Sequence, residues 1–240
     1  MKGAILAGGT GSRLYPLTKI INKHLLPVGH VPMICHAIEK LRAAKIDDIL
    51  MIIGKHSAGL FTELLGSGQE LGVRLTYKIQ EESGGIAQAL SLAQSFISPG
   101  EKFVVLLGDN LFEDSLISYA QAFQEQKEGA RVLLKKVHDP QRYGVPVIKE
   151  NKIVSIEEKP ANPKSDYCVT GIYMYDSGVF DVIRTIKPSA RGELEITDVN
   201  NVYASGERLA YDILNGWWTD AGTFNSLYYA SGRLLDGERK

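Results

Sequence analysis

Lys2-Gly3-Ala4-Ile5-Leu6-Ala7-Gly8-Gly9-Thr10-Gly11-Ser12-Arg13-Leu14 runs a short apolar strand pattern straight into closely spaced glycines and a cation. A strand that ends in such a turn is how an open α/β sheet presents a ligand crevice at its carboxyl edge. Working outward, further short apolar runs at 49–53, 73–77, 103–107 and 132–134 read as strands. Residues 33–44, 60–65, 86–96 and 116–123 repeat apolar side chains at helical spacing. Strands alternating with helices predict an α/β fold with a largely parallel central sheet flanked by helices. After about residue 135 the rhythm changes. Strands at 145–148, 152–156 and 171–175 crowd together like a hairpin and predict a smaller mixed-sheet portion. Helices follow at 177–186, at 195–204 with Gly206 as a stop, and at 223–235. No linker or repeat divides the chain, which predicts one domain over 1–240, with halves at about 1–130 and 131–225.

Composition narrows the function. The 240 residues carry 27 Lys+Arg against 28 Asp+Glu, a net charge of −1; a nucleic-acid binder would usually be clearly basic. Anionic ligands must therefore be met by local cations. The 24 glycines exceed the usual ~7% without any low-complexity run, so they mark tight bends or close backbone approaches. Cys35 and Cys168 fit no metal or disulfide spacing, and no apolar stretch is long enough to span a membrane; a reducing, cytoplasmic setting with no membrane partner is the expectation. His24, His30, His36, His56 and His138 show no zinc spacing and are read as structural.

The glycine loop is neither a Walker A sequence, which needs Gly-Lys-Ser/Thr where Gly11-Ser12-Arg13 stands, nor a dinucleotide fingerprint, which needs a third glycine at Leu14. A glycine loop with Arg13 and then Lys23 suits phosphate binding, and equally an ordinary turn with solvated cations. Phe103-Val104-Val105-Leu106-Leu107 delivers Asp109 to the sheet edge, where a carboxylate must be solvated, paired or metal-bound. Asp114 is the better candidate to cap the following helix. Trp217-Trp218-Thr219-Asp220-Ala221-Gly222 offers a second acid, which could equally cap the last helix. Gln80 carries an amide that can donate and accept at once, as the edge of a uracil or thymine ring requires.

Taken together, residues 2–18 with Asn22-Lys23-His24-Leu25-Leu26-Pro27-Val28, the Gly-Asp-Asn at 108–110, Arg142-Tyr143-Gly144-Val145, Glu157-Glu158-Lys159-Pro160, Val169-Thr170-Gly171-Ile172-Tyr173, residues 188–198 and the Trp-x-Asp-x-Gly around Asp220 resemble the sugar-1-phosphate nucleotidylyltransferases, in a short form of their thymidylyltransferase branch. The resemblance implies a Rossmann-like nucleotidyltransferase fold whose second half binds the sugar phosphate. It implies a nucleotide site of Leu6, Ala7, Gly8, Gly9, Thr10, Gly11, Ser12, Arg13, Lys23, Gln80, Gly85 and Asp109. The implied sugar-phosphate site comprises Tyr143, Gly144, Glu158, Lys159, Val169, Thr170 and Arg191. Asp109 and Asp220 would jointly hold Mg²⁺, and Arg13, Lys23, Asp109, Lys159, Arg191 and Asp220 would carry catalysis.

The implied reaction takes dTTP (or UTP) and glucose 1-phosphate to a nucleotide sugar and pyrophosphate, the first step toward dTDP-rhamnose or a related deoxysugar, in a protein free to form a homo-oligomer. The alternatives are another sugar 1-phosphate within the family, or a catalytically silent nucleotide-sugar sensor. Glu81-Glu82-Ser83-Gly84 departs from the proline-rich loop of many relatives, and Ala221 and Phe224 stand where threonine and histidine are common.

Overall fold

A computed structural model describes residues 1–237; Lys240, on which the short-form expectation rests, lies outside them. The strands are β1 (Lys2–Ala7), β2 (Pro27–Val28), β3 (Val31–Pro32), β4 (Asp48–Gly54), β5 (Arg74–Gln80), β6 (Lys102–Leu107), β7 (Asn110–Phe112), β8 (Ala130–Lys136), β9 (Gly144–Lys149), β10 (Lys152–Glu158), β11 (Tyr167–Asp176), β12 (Leu209–Ile213) and β13 (Trp218–Asp220). The α-helices are α1 (Met33–Ala43), α2 (Ala58–Leu65), α3 (Ile86–Ser91), α4 (Ile117–Glu125), α5 (Val179–Thr185), α6 (Ile196–Ser205) and α7 (Phe224–Gly237). Among the described residues no helix is long and apolar enough to cross a membrane.

Seven strands form the main sheet in the order β12-β8-β11-β6-β1-β4-β5. Strands β6, β1, β4 and β5 are mutually parallel, as is β12 to β8, whereas β11 runs antiparallel to both β6 and β8. Both halves of the chain thus contribute to one sheet. Because successive side chains alternate faces, β1 sends Ala4 and Leu6 into one core with Leu50, Ile52, Phe103 and Val105. Its Ile5 and Ala7 enter a second core with Met51, Ile53, Val104 and Leu106. Burial on both faces explains why the central strands read as continuous apolar runs.

The differences from the sequence expectations have local causes. The pattern over 86–96 gives a regular helix only to Ser91; residues 92–96 continue in turns. Strand β11 is longer than 171–175 because its Tyr167–Val169 end also pairs with β8, across an irregularity between Val169 and Tyr173. The acid motif around Asp220 is a strand and not a turn, paired antiparallel to β7 with Asp220 opposite Asn110. Asp114 does not cap α4. Its carboxylate accepts instead from the backbone N–H groups of Asn215 (2.9 Å) and Gly216 (2.7 Å) and from the Tyr119 hydroxyl (2.8 Å), tying down the turn before β13.

Candidate active site

The sheet changes direction of winding at β1, with β4 on one side and β6 on the other. Ligand crevices open at the carboxyl ends of strands at such a point. From β1 the chain passes into Gly8 and Gly9, from β6 into Gly108-Asp109, and β5 ends at Gln80. A crevice of about 260 Å³ opens there, lined by Gly8, Gly9, Lys23, His24, Gln80, Gly85 and Asp109 among others. A larger hollow of about 560 Å³ lies between α1, β7 and α7, lined by Lys40, Phe112, Glu113, Trp217 and Arg233, and includes neither Asp109 nor Asp220.

Two glycines in this region are required by backbone geometry. Gly11 (φ +69°) starts the turn that carries Arg13, and a Cβ there would sit 2.9 Å from the Lys23 side chain. Gly85 (φ +99°) precedes α3, and a Cβ would lie 2.5 Å from the Leu194 carbonyl oxygen. In return the backbone closes tightly: Leu194 N–H donates to Gly84 O (2.8 Å) and Ala87 N–H to Leu194 O (3.1 Å).

The two acids meet through the β7–β13 ladder, reinforced by the Ala221 N–H donating to Asp109 O at 2.8 Å. The Lys23 ammonium donates to Asp109 Oδ2, and the Asn110 amide donates to Oδ1 at 3.0 Å. Burial disfavours the ionised Asp109, but the Lys23 charge and these hydrogen bonds prevail and hold its carboxyl well below the usual range. Asp220 accepts from Arg142 Nη2 at 3.2 Å on both oxygens and from the Tyr143 hydroxyl at 3.0 Å, with Arg13 3.8 Å away. Burial and then the neighbouring Asp109 charge raise the Asp220 pKa, and Arg142 partly offsets them. His24 is pushed down to about 3, chiefly by burial and then by Lys23, so it stands neutral beside the acids.

On the other side, Gly144 pairs with Glu158 across the β9–β10 hairpin, and the backbone turns at Lys159 (φ +44°), whose N–H donates to Tyr143 O at 3.0 Å. Glu158 accepts from the Thr197 hydroxyl at 2.5 Å, with Lys159 at 3.4 Å and Arg191 at 3.8 Å. Arg191 also bonds Glu195 (2.8 Å) and lies 3.4 Å from Glu193, the pairing its sequence neighbours suggest.

The expected residues therefore fall into two groups: the glycine loop, Lys23, Gln80, Gly85 and Asp109 at one place, and Glu158, Lys159 and Arg191 at another. Tyr143 and Asp220 join them through their hydrogen bond. The Thr170 side chain departs from its expected role. It is fully buried, and its hydroxyl donates to Leu133 O at 2.8 Å, turned into the sheet. Sequence reading did not single out Arg142, Asn110, Thr197 or Gln88. Arg142 lies in a quoted motif, yet nothing in the sequence shows that it forks onto an acid from another segment. Asn110 is buried and central: Oδ1 accepts from the Gly171 N–H and the Trp218 indole N–H, both at 2.8 Å.

Asp109 and Asp220 suit a hard divalent cation. Both are largely buried and offer only hard carboxylate oxygens, on which Lys23 and Arg142 now sit where a cation would compete with them. One or two carboxylates completed by substrate phosphates is the usual arrangement for Mg²⁺.

Comparison with known proteins places the whole chain in a family. A family profile described as nucleotidyl transferase matches residues 2–237. The chain belongs to the nucleotidyl transferase family. This transferase is 43% identical over 237 residues to a Neisseria meningitidis glucose-1-phosphate thymidylyltransferase, covering 96% of this chain and 81% of the relative. It is 41% identical to a Mycobacterium tuberculosis protein of the same name, covering 100% and 84%. A Bacillus anthracis chain, provisionally assigned as a glucose-1-phosphate thymidylyltransferase and crystallised with sucrose, superposes with a TM-score of 0.94 at 57% identity, covering 98% of this chain and 96% of that one. A UDP-glucose pyrophosphorylase superposes at 0.86 with 23% identity, a likeness of fold alone.

Proposed function

We propose that this nucleotidyl transferase joins dTTP to glucose 1-phosphate, giving dTDP-glucose and pyrophosphate. The observation that carries the chemistry is the meeting of Asp109, in the crevice wall, with Asp220 beside it through the β7–β13 ladder, and with Lys23, Arg13 and Arg142 against the two acids. The names of relatives 41–44% identical over nearly the whole chain support this substrate pair.

The nucleophile is already ionised, so the reaction needs no general base. A sugar-phosphate oxygen forms a bond to the α-phosphorus as the bond to the β-phosphate oxygen breaks and pyrophosphate departs in line. Catalysis then consists of bringing polyanions together and stabilising charge on the phosphoryl oxygens. Asp109 and Asp220 would hold Mg²⁺, which would supply Lewis-acid stabilisation of phosphoryl charge. Arg13 steadies the pyrophosphate portion on the backbone of the 8–12 loop, and Lys23 meets the nucleotide phosphates. Gln80 reads the base edge where Gly85 lets it approach. Lys159 and Arg191 hold the attacking phosphate, while Glu158 with the backbone at Gly144 and Val169 holds sugar hydroxyls. This assigns the first half of the chain to the nucleotide and the second to the sugar phosphate. A cytoplasmic setting fits the free Cys35 and Cys168.

A matrix of nucleoside triphosphates against sugar 1-phosphates, read by pyrophosphate release, tests the assignment. The highest kcat/KM is expected for dTTP with glucose 1-phosphate. Release that favours another pair reassigns the substrates, and no release from any pair would leave a sensing role.

A further inference from the structure

Gln80 is only 7% exposed, and its amide is gripped from one side. Its Nε2 donates to Gln88 Oε1 at 2.7 Å. Its Oε1 lies against Gly8, where a Cβ would run into it, and has no hydrogen-bond donor among the described residues. Gln88 is itself held in place. It sits on α3, whose start is clamped by the Gly85 geometry and the two Leu194 backbone bonds, and its Cβ and Cγ pack 3.0–3.3 Å from where a Gly84 Cβ would stand. The amide of Gln80 could present either end to a ligand; because Gln88 takes the nitrogen, the oxygen is left for the crevice.

We infer that Gln88 is a positioning residue for base selection: by accepting from Gln80 Nε2 it turns Gln80 Oε1 toward the nucleobase, so that the site takes bases carrying a ring N–H, thymine and uracil, and rejects cytosine. The inference rests on Gln80 being the base reader. Thymine and uracil carry N3–H, a donor that Oε1 accepts. Cytosine carries an unprotonated N3 there, so two lone pairs would face each other with no proton between them. A buried polar pair left without a proton is the kind of mismatch that discriminates strongly. Gln88 acts in this scheme through the Gln80 amide alone, so it separates pyrimidine classes without separating dTTP from UTP.

The test compares kcat/KM for dTTP, UTP and dCTP in wild type, Gln88→Leu, Gln88→Glu, Gln88→Lys and Gln80→Leu, each confirmed folded by circular dichroism. Gln88→Leu removes the acceptor, and the dTTP/dCTP ratio should fall about 10- to 100-fold, the factor for one or two hydrogen bonds. Gln88→Glu keeps an acceptor and should retain the ratio to within about threefold, whereas Gln88→Lys offers only donors and should favour dCTP further. The dTTP/UTP ratio should stay constant throughout. If Gln80→Leu erases discrimination and Gln88→Leu does not, the positioning role is wrong; if Gln80→Leu leaves discrimination intact, the reading of Gln80 itself fails. Equal loss in Gln88→Leu and Gln88→Glu would likewise overturn the inference, since simple loss of packing predicts that result.

Discussion

Replacing Asn110 by leucine should destabilise the protein by about 4 kcal/mol. The Asn110 oxygen accepts from two donors, the Gly171 N–H and the Trp218 indole N–H, both at 2.8 Å, and all the side chains concerned are buried. Leucine has the same branched skeleton with bulkier methyl groups in place of the amide O and NH₂, so no space opens for water, and both donors are left without an acceptor. A buried donor stripped of its partner costs roughly 1–3 kcal/mol, which gives ~2–6 kcal/mol for the pair. That is a large part of a typical stability of ~5–15 kcal/mol. In urea the midpoint should fall with the slope unchanged, and Tm should drop by roughly 8–16 °C for a chain of this size. The same loss should loosen the β7–β13 ladder and lower turnover. A double-mutant cycle sharpens the test, because Trp218→Phe removes one of the stranded donors. The pair of substitutions should therefore cost less than the two single effects added, by about 1 kcal/mol. A loss below about 1 kcal/mol for Asn110→Leu, or strict additivity, would refute this account of Asn110 as the brace between the sheet and Trp218.

Asp109→Ala should leave the circular dichroism spectrum intact while lowering pyrophosphate release by several orders of magnitude; near-wild-type release would sink the metal assignment. Gly85→Ala forces a side chain into φ +99° against the Leu194 backbone, so KM for the nucleotide should rise more than kcat falls in steady-state assays. For Asp114, burial raises the carboxyl pKa, but the N–H groups of Asn215 and Gly216 and the Tyr119 hydroxyl prevail and lower it below the usual carboxylate range. A depressed folded pKa contributes stability above the unfolded value and loses it as pH falls through the folded one. Wild type should therefore exceed Asp114→Asn by roughly 1 kcal/mol at pH 7, discounted for partial exposure, with the gap closing below pH 4 in urea titrations; a gap unchanged at pH 3 would contradict it.

The central sheet was legible because strands buried on both faces leave unbroken apolar runs, as 103–107 and 49–53 do, and because α1 and α6 keep a clear helical period. Strand β13 was not, since the three residues Trp218-Thr219-Asp220 are too short a run to show alternation unless their partner, Asn110–Phe112, is known. The acids Asp109 and Asp220 stood out as polar residues at the ends of apolar segments. Their meeting did not, because nothing local encodes a contact half a chain away; only resemblance joined them. Arg142 and Thr197 act through such distant partners too, whereas Gln88 meets Gln80 only eight residues away across an irregular loop whose path no local pattern gives. Thr170 shows the opposite limit: a motif names the position, but the side-chain direction is decided by the Leu133 carbonyl beneath it.

The short ladder that pairs Asn110 with Asp220 also has a consequence for how the protein becomes competent during synthesis. The glycine loop, Lys23 and Asp109 all lie in the first half of the chain, yet the Gly85 turn behind Gln80 closes on Leu194 and the second acid comes only with the last segment before α7. A nascent or truncated chain would then carry the phosphate-side residues without the means to transfer a nucleotide, and transfer would begin only when β13 docks on β7. The site thereby reports on completion of the fold.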